Sequence, residues 1–239
     1  MNSNELDENI LDKAILTLRP LGYILEHKYG VPSELIDIFA EIIPGQRIDR
    51  MASFLKILDK NFSDLKISCE QLVIDVKKQK EYFSLLENGL FHAYRASSYE
   101  RLEYISSMIV KGLTQEQVQI SQYIYLLNLL SELNDEEVIW LRFYLKPSLG
   151  DDKEFRKKHI NVLERPRTFI GAPEENLNKA ALQDSYLEHL ERLGLIESKV
   201  QIDKSTNLPV LNKSGRPKTS YRNITRLGQM LLKEIGLYS

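Results

Sequence analysis

Between Lys199 and Arg222 the chain sets Lys199, Lys204, Lys213, Arg216, Lys218 and Arg222 against one acid, Asp203. Cations at that density, in a stretch rich in Ser, Asn, Pro and Gly, suit contact with a phosphate backbone. There Lys and Arg release condensed counterions and bind without reading sequence. The other end of the chain has the opposite sign. Residues 1–45 carry Glu5, Asp7, Glu8, Asp12, Glu26, Glu34, Asp37 and Glu41 against Lys13, Arg19 and Lys28. The formal net charge of −2 hides this asymmetry. A second cationic feature is Arg47 and Arg50, flanking Asp49 at the start of a helical stretch. Arginines there oppose the helix dipole. They read either as a site for an anion or partner carboxylate, or as salt bridges to the acidic N-terminal segment.

Groups for catalysis are sparse. His27, His92, His159 and His189 are scattered without metal-ligand spacing, and there is no cysteine pair. Each histidine reads as a surface or partly packed residue. No Gly-rich phosphate loop, nucleophile elbow or zinc-protease motif occurs. The expectation is a non-catalytic protein with no cofactor and no metal. The lone Cys69 excludes an intramolecular disulfide and suits a reducing compartment. Met1 to Glu8 is polar and acidic, unlike a signal peptide. No apolar run approaches the roughly 18–20 residues of a membrane span. A cytoplasmic protein without membrane contact is expected.

The elements that would position these groups follow from periodicity. The strongest pattern is Ile48, Met51, Leu55, Leu58, Phe62, Leu65, Cys69, Leu72, Val76, Gln79, Phe83, Leu86 and Leu90, a 3-4 alternation broken only by Gln79. It predicts one helix roughly 65 Å long, which must project, dimerise or have other helices folded along it. Before it, residues 5–43 read as two or three short amphipathic helices. After it, Ser97 with Glu100 reads as a capping box, Gly112 as a C-terminal cap, Thr114 with Gln117 as the next helix start, and Asn134 with Glu137 as another capping box. Residues 147–173, with several prolines and mixed charges, read as a connection or hinge. A helix then runs from beyond Pro173 to Leu193, with Leu177, Ala180, Ala181, Leu187, Leu190 and Leu193 on its inner side. Two strands follow, from Leu195-Ile196 and over Tyr221 to Ile224, and Thr225 caps a last helix.

Helix, strand, long basic loop, strand, helix is the layout of the C-terminal half of a winged helix, and two stretches resemble that superfamily: Tyr186 to Ile196 (YLEHLERLGLI), and Tyr221 to Gly228 (YRNITRLG). The resemblance implies that the first is a recognition helix entering the wing, and the second the return strand and closing helix. It covers about residues 174–237, extended by Asn134 to Leu145 as the family's first helix. For the family's second helix only the irregular stretch 153–165 is on offer. Within the wing, Gly215-Arg216-Pro217-Lys218 resembles the core of the AT-hook, which lays arginine into the minor groove, with Ser214 where that motif has an arginine; the alternative is a solvated loop. A looser likeness in layout is to uncharacterised bacterial helical proteins linked to abortive infection.

These readings give a mainly α protein: a helical bundle over residues 1–146 built on one long heptad-patterned helix, a connection over 147–173, and a winged-helix-like α+β domain over 174–239. The expected function is non-catalytic nucleic-acid binding or regulation. Lys204, Lys213, Arg216, Lys218 and Arg222, with Lys179 and Arg192 of the preceding helix, would contact double-stranded DNA. A homo-oligomer would form through the long helix. The rival is a protein-interaction or phage-defence component whose winged helix binds protein.

Overall fold

The computed structural model describes residues 48–64, 80–114, 117–147, 152–211, 215 and 217–238. It is mainly helical, with a two-stranded antiparallel sheet near the C-terminus. The chain divides into two units, Met1–Asn128 and Leu129–Ser239.

In the first unit α1 (Ile48–Asp64) and α2 (Lys80–Arg95) both pack on α3 (Tyr99–Leu113), and α4 (Gln117–Glu132) follows. The core is built from Phe54 and Ile57 of α1, Tyr82, Leu85 and Ala93 of α2, and Leu102, Ile105, Met108 and Ile109 of α3. On α1 and α2 most of these lie one residue before the heptad stripe. Of the stripe itself, Leu58, Phe62 and Leu86 are half-buried and Leu90 is buried. A step of one residue turns a helix by about 100°, so the stripe marks largely the flank of the core face.

The single rod does not form. The Arg50 guanidinium donates to the Tyr94 carbonyl at 3.3 Å, across a sequence separation of 44 residues. One continuous helix would hold those residues about 66 Å apart. Instead α1 and α2 lie side by side, which removes the projecting rod on which the expected homo-oligomer rested. Leu65, Cys69, Leu72, Val76 and Gln79 lie outside the described residues, as do the short helices read over 5–43.

Small residues set the closeness of these helices. A Cβ on Gly89 would overlap the Ile109 side chain, and one on Gly112 would sit 2.5 Å from Leu85 Cδ2 and 3.0 Å from the Tyr123 ring. Gly112 is therefore a contact point inside α3 rather than its cap. Thr114, expected to open the next helix, closes this one: its Oγ1 donates to the Lys111 carbonyl at 2.7 Å. The N-cap of α3 is Ser98, one residue later than expected, accepting from the Arg101 N–H at 3.2 Å.

His92 gives this unit a pH dependence. Its Nε2 lies 3.0 Å from Asn128 Oδ1. Burial, the largest cause, and the charge of Arg95 hold its pKa below the ordinary 6.5, against the opposing effect of the Asn128 bond. The folded state thus binds its proton less readily than the unfolded chain does. Stability from this group is intact above the unfolded pKa and declines as pH falls below it, levelling off below the folded pKa. Thermal melts followed by circular dichroism should show wild type losing more stability than His92→Gln between pH 7 and about 5.5.

The second unit contains α5 (Asp135–Phe143), α6 (Lys153–Lys158), α7 (Ile160–Leu163), α8 (Glu174–Arg192), β1 (Ile196–Val200), β2 (Thr219–Ile224) and α9 (Arg226–Glu234). Helix α5 packs on α7, α8 and α9. The division between the two units falls at Asn128–Leu129, inside α4. Part of the stretch read as a connection is tied down: Arg142 pairs with Asp152 at 2.7 Å, and Gln183 Nε2 donates to the carbonyls of Val162 and Glu164 at 2.8 and 3.0 Å.

Gln183 is buried on the inner face of α8 with Leu187 and Leu190, whereas Leu177 and Ala181, expected there, face solvent. An amide occupies that position because the free carbonyls at the end of α7 need donors. Gly194 ends α8 at φ +70, a conformation in which a Cβ is strained. Thr225 caps α9, accepting from the Gly228 N–H at 3.1 Å while its hydroxyl donates to the Gly194 carbonyl at 2.7 Å. A Cβ on Gly228 would run into the Leu195 carbonyl oxygen. Close approach of α9 to the strand is the reason for that glycine.

Candidate nucleic-acid interface

Strands β1 and β2 pair from Ile196↔Ile224 to Val200↔Thr219, with an irregularity after Lys199. The stretch between them is ordered by its own backbone. The Gln201 N–H donates to the Lys218 carbonyl at 2.8 Å, the Gln201 carbonyl accepts from the Val210 N–H at 2.8 Å, and the Lys218 N–H donates to the Val210 carbonyl at 2.7 Å. Three segments thus meet at one junction. Below the junction Asp203 closes a turn, accepting from the Ser205 hydroxyl and from its N–H. The same bonds, the hydroxyl first, hold the exposed Asp203 carboxyl below the usual range.

On this frame Lys204 stands exposed in the turn and Lys218 exposed at the junction. Lys213 and Arg216 lie outside the described residues. Arg222 departs from the expectation. It is half-buried, it hydrogen-bonds Tyr144, and its Nε is enclosed without a partner. The aromatic surface of α5 draws its guanidinium inward, so it is not a freely solvated wing cation. Lys199 pairs with Glu197 at 3.2 Å on the surface. On α8, Lys179 is half-buried and Arg192 is exposed. Arg47 lies outside the described residues, and Arg50, read as an anion or partner site, instead satisfies the end of α2.

One side of α8 is acidic. A cleft of about 480 Å³ is lined by Glu132, Asn134 and Glu137 on one side and Ser185, Tyr186, Glu188, His189 and Arg192 on the other. Its floor is a capping box: the Asn134 side chain accepts from the Glu137 N–H at 2.8 Å, and Glu137 Oε2 accepts from the Asn134 N–H at 2.8 Å. The remaining oxygen, Oε1, lies 2.7 Å from His189 Nδ1. Glu137, with its side chain 5% exposed, thereby joins the start of α5 to α8. Burial first, then the charges of Glu136 and Glu137, raise the Tyr186 phenol above its usual pKa. Among the described residues no three His, Cys, Asp or Glu side chains are grouped to hold a metal ion.

The other flank of α8 carries arginines that spacing in the sequence did not bring together. The rings of Trp140, Phe143 and Tyr144, at the end of α5, meet edge-on or tilted at 5.3–6.3 Å between centroids. Arg156 of α6 lies 4.5 Å over Phe143, Arg165 lies 5.9 Å over Trp140, and Arg222 of β2 bonds the Tyr144 hydroxyl. The nearby acids are engaged. Asp184 pairs with Arg165 at 3.1 Å, and Glu191 accepts from the Ser198 N–H and hydroxyl at 3.2 and 2.8 Å. Burial raises the Tyr144 phenol pKa, while Arg222 and Arg165 oppose the rise.

No helix among the described residues is long and apolar enough to cross a membrane. Comparisons with protein-family models, curated proteins and solved structures found no match to the chain.

Proposed function

We propose that the C-terminal unit is a winged-helix-like module that binds double-stranded DNA through its backbone phosphates, with the β1–β2 hairpin as the wing. The observation that carries this reading is the ordered hairpin, with Lys204 and Lys218 held exposed on a frame whose acids are engaged, Glu197 by Lys199 and Asp203 in its own turn. The order α5, α6–α7, α8, β1, β2, α9 supports it. Helix α8 does not act as a groove reader here. Its outer face borders the acidic cleft, and carboxylates there repel the phosphates that a recognition helix must pass. Binding is accordingly insensitive to sequence and steeply sensitive to salt.

A second reading, a module that binds a protein as in the phage-defence layout, draws on a specific observation. Ile202, Leu208, Leu211 and Tyr221 on the same hairpin are 46%, 63%, 58% and 55% exposed. Exposed apolar side chains grouped on one element mark protein contacts more often than phosphate contacts.

A salt titration of binding to short random duplex DNA separates the two. On the first reading affinity falls steeply from about 50 to 200 mM salt. Lys204→Ala combined with Lys218→Ala then lowers affinity about tenfold and reduces the log–log slope by about two. A wild-type chain that ignores duplex DNA at low salt leaves the protein-binding reading.

A further inference from the structure

We infer that Arg156 and Arg165, held over the aromatic rings at the end of α5, form a second phosphate-contact surface, distinct from the wing and joined to β2 through the Arg222–Tyr144 bond. This rests on the nucleic-acid reading and specifies which face of the unit the backbone lies along.

The first argument is preorganisation. Arg156 and Arg165 come from α6 and the segment after α7, yet each lies over a different ring of one aromatic group at the end of α5, and Arg222 of β2 anchors the third ring by bonding the Tyr144 side chain. An arginine held over an aromatic ring has already lost most of its rotamer freedom, and Arg156 is fixed further by donating from Nη2 to the Lys146 carbonyl at 3.1 Å.

The second argument is the sign of the two sides of α8. Asp184 and Glu191, seven residues apart, share a flank, and on that flank both carboxylates are already engaged, by Arg165 and by Ser198. His189, five residues from Asp184, is turned about 140° away and lines the cleft with Glu132, Glu137 and Glu188. A polyanion approaching the unit is turned from the cleft and toward the rack. The Arg165–Asp184 pair is no obstacle, because its side chains are 51% and 62% exposed and such surface pairs are weak.

The test pairs two substitutions at that ion pair in the full chain, with short random duplex DNA as probe and Trp140 fluorescence in urea as the check on folding. Arg165→Gln should weaken binding about threefold to tenfold and lower the salt slope by about one. Asp184→Asn, which releases Arg165, should strengthen binding about twofold to threefold. A merely structural pair would move both variants the same way, so shifts of like sign overturn the inference. Unchanged binding in both, with the Lys204/Lys218 double variant weakened, overturns the rack while leaving the wing reading intact. Failure of the wild-type chain to bind the duplex at low salt overturns both, and capture of poly-glutamate instead would identify an acidic protein as the class of partner.

Discussion

Gly228→Ala should lower the stability of the C-terminal unit by about 2–4 kcal/mol, the largest loss expected from any single methyl group in it. The added Cβ meets the Leu195 carbonyl oxygen, and it also lies 2.8 Å from Ile224 Cγ1 and 3.2 Å from Leu141 Cδ1. A side-chain tip can rotate away, but the Leu195 carbonyl cannot. It accepts from the Thr225 N–H at 3.0 Å and the Thr225 hydroxyl at 3.1 Å, so moving it disrupts the α9 cap as well. Alanine's better helix propensity returns at most about 1 kcal/mol, and the clash outweighs it. The chain has one tryptophan, Trp140, and it sits in α5 of this unit. Its fluorescence in a urea titration therefore reports this unit. A midpoint equal to that of wild type would show that α9 does not approach β1 as described.

Glu137→Ala should cost about 2–3 kcal/mol in the same measurement. Both carboxylate oxygens are engaged, one by the Asn134 N–H and one by His189, and the side chain is almost fully enclosed. Truncation removes half of the capping box and leaves a half-buried imidazole nitrogen without its partner. Glu137→Gln retains one acceptor oxygen and loses the charge. It should fall between wild type and alanine, because a neutral acceptor gives a weaker bond than a carboxylate. If the glutamine variant were as unstable as the alanine variant, the charge and not the hydrogen-bond count would be what joins α5 to α8.

Much of the C-terminal unit was legible because its signals are local. The Asn134–Glu137 capping box, the Gly194 turn and the Thr225 cap each act within a few residues of themselves, and their chemistry states their role; Gly228 was legible from its type, which only a close approach to the strand explains. The first unit was less legible for a reason of geometry. A stripe at 3-4 spacing identifies a helical face to within about one residue, and here the face that meets α3 lies a residue earlier. Nor does periodicity say where a helix stops: the Arg50–Tyr94 contact places α1 beside α2, and only a contact between distant residues reveals it. The α5 rack escaped the same way. Trp140, Phe143 and Tyr144 read as the apolar content of a short helix, and nothing in the spacing of Arg156, Arg165 and Arg222 says that they converge on it. Arg222 looked like any other wing cation because the ring that draws it inward is 78 positions upstream, from Tyr144 to Arg222. Gln183 was hidden by its type, since an amide at a core position becomes intelligible only once the carbonyls of Val162 and Glu164 are seen beneath it.

The junction of Gln201, Val210 and Lys218 bears on how the hairpin would meet a ligand. Peptide groups there are matched to one another across three segments, so the described part of the hairpin enters an encounter already shaped. Little conformational freedom remains for Lys204 or Lys218 to surrender beyond that of their own side chains. Calorimetry should accordingly register a small heat-capacity change on association, far below the value that accompanies folding of a loose arm onto its target.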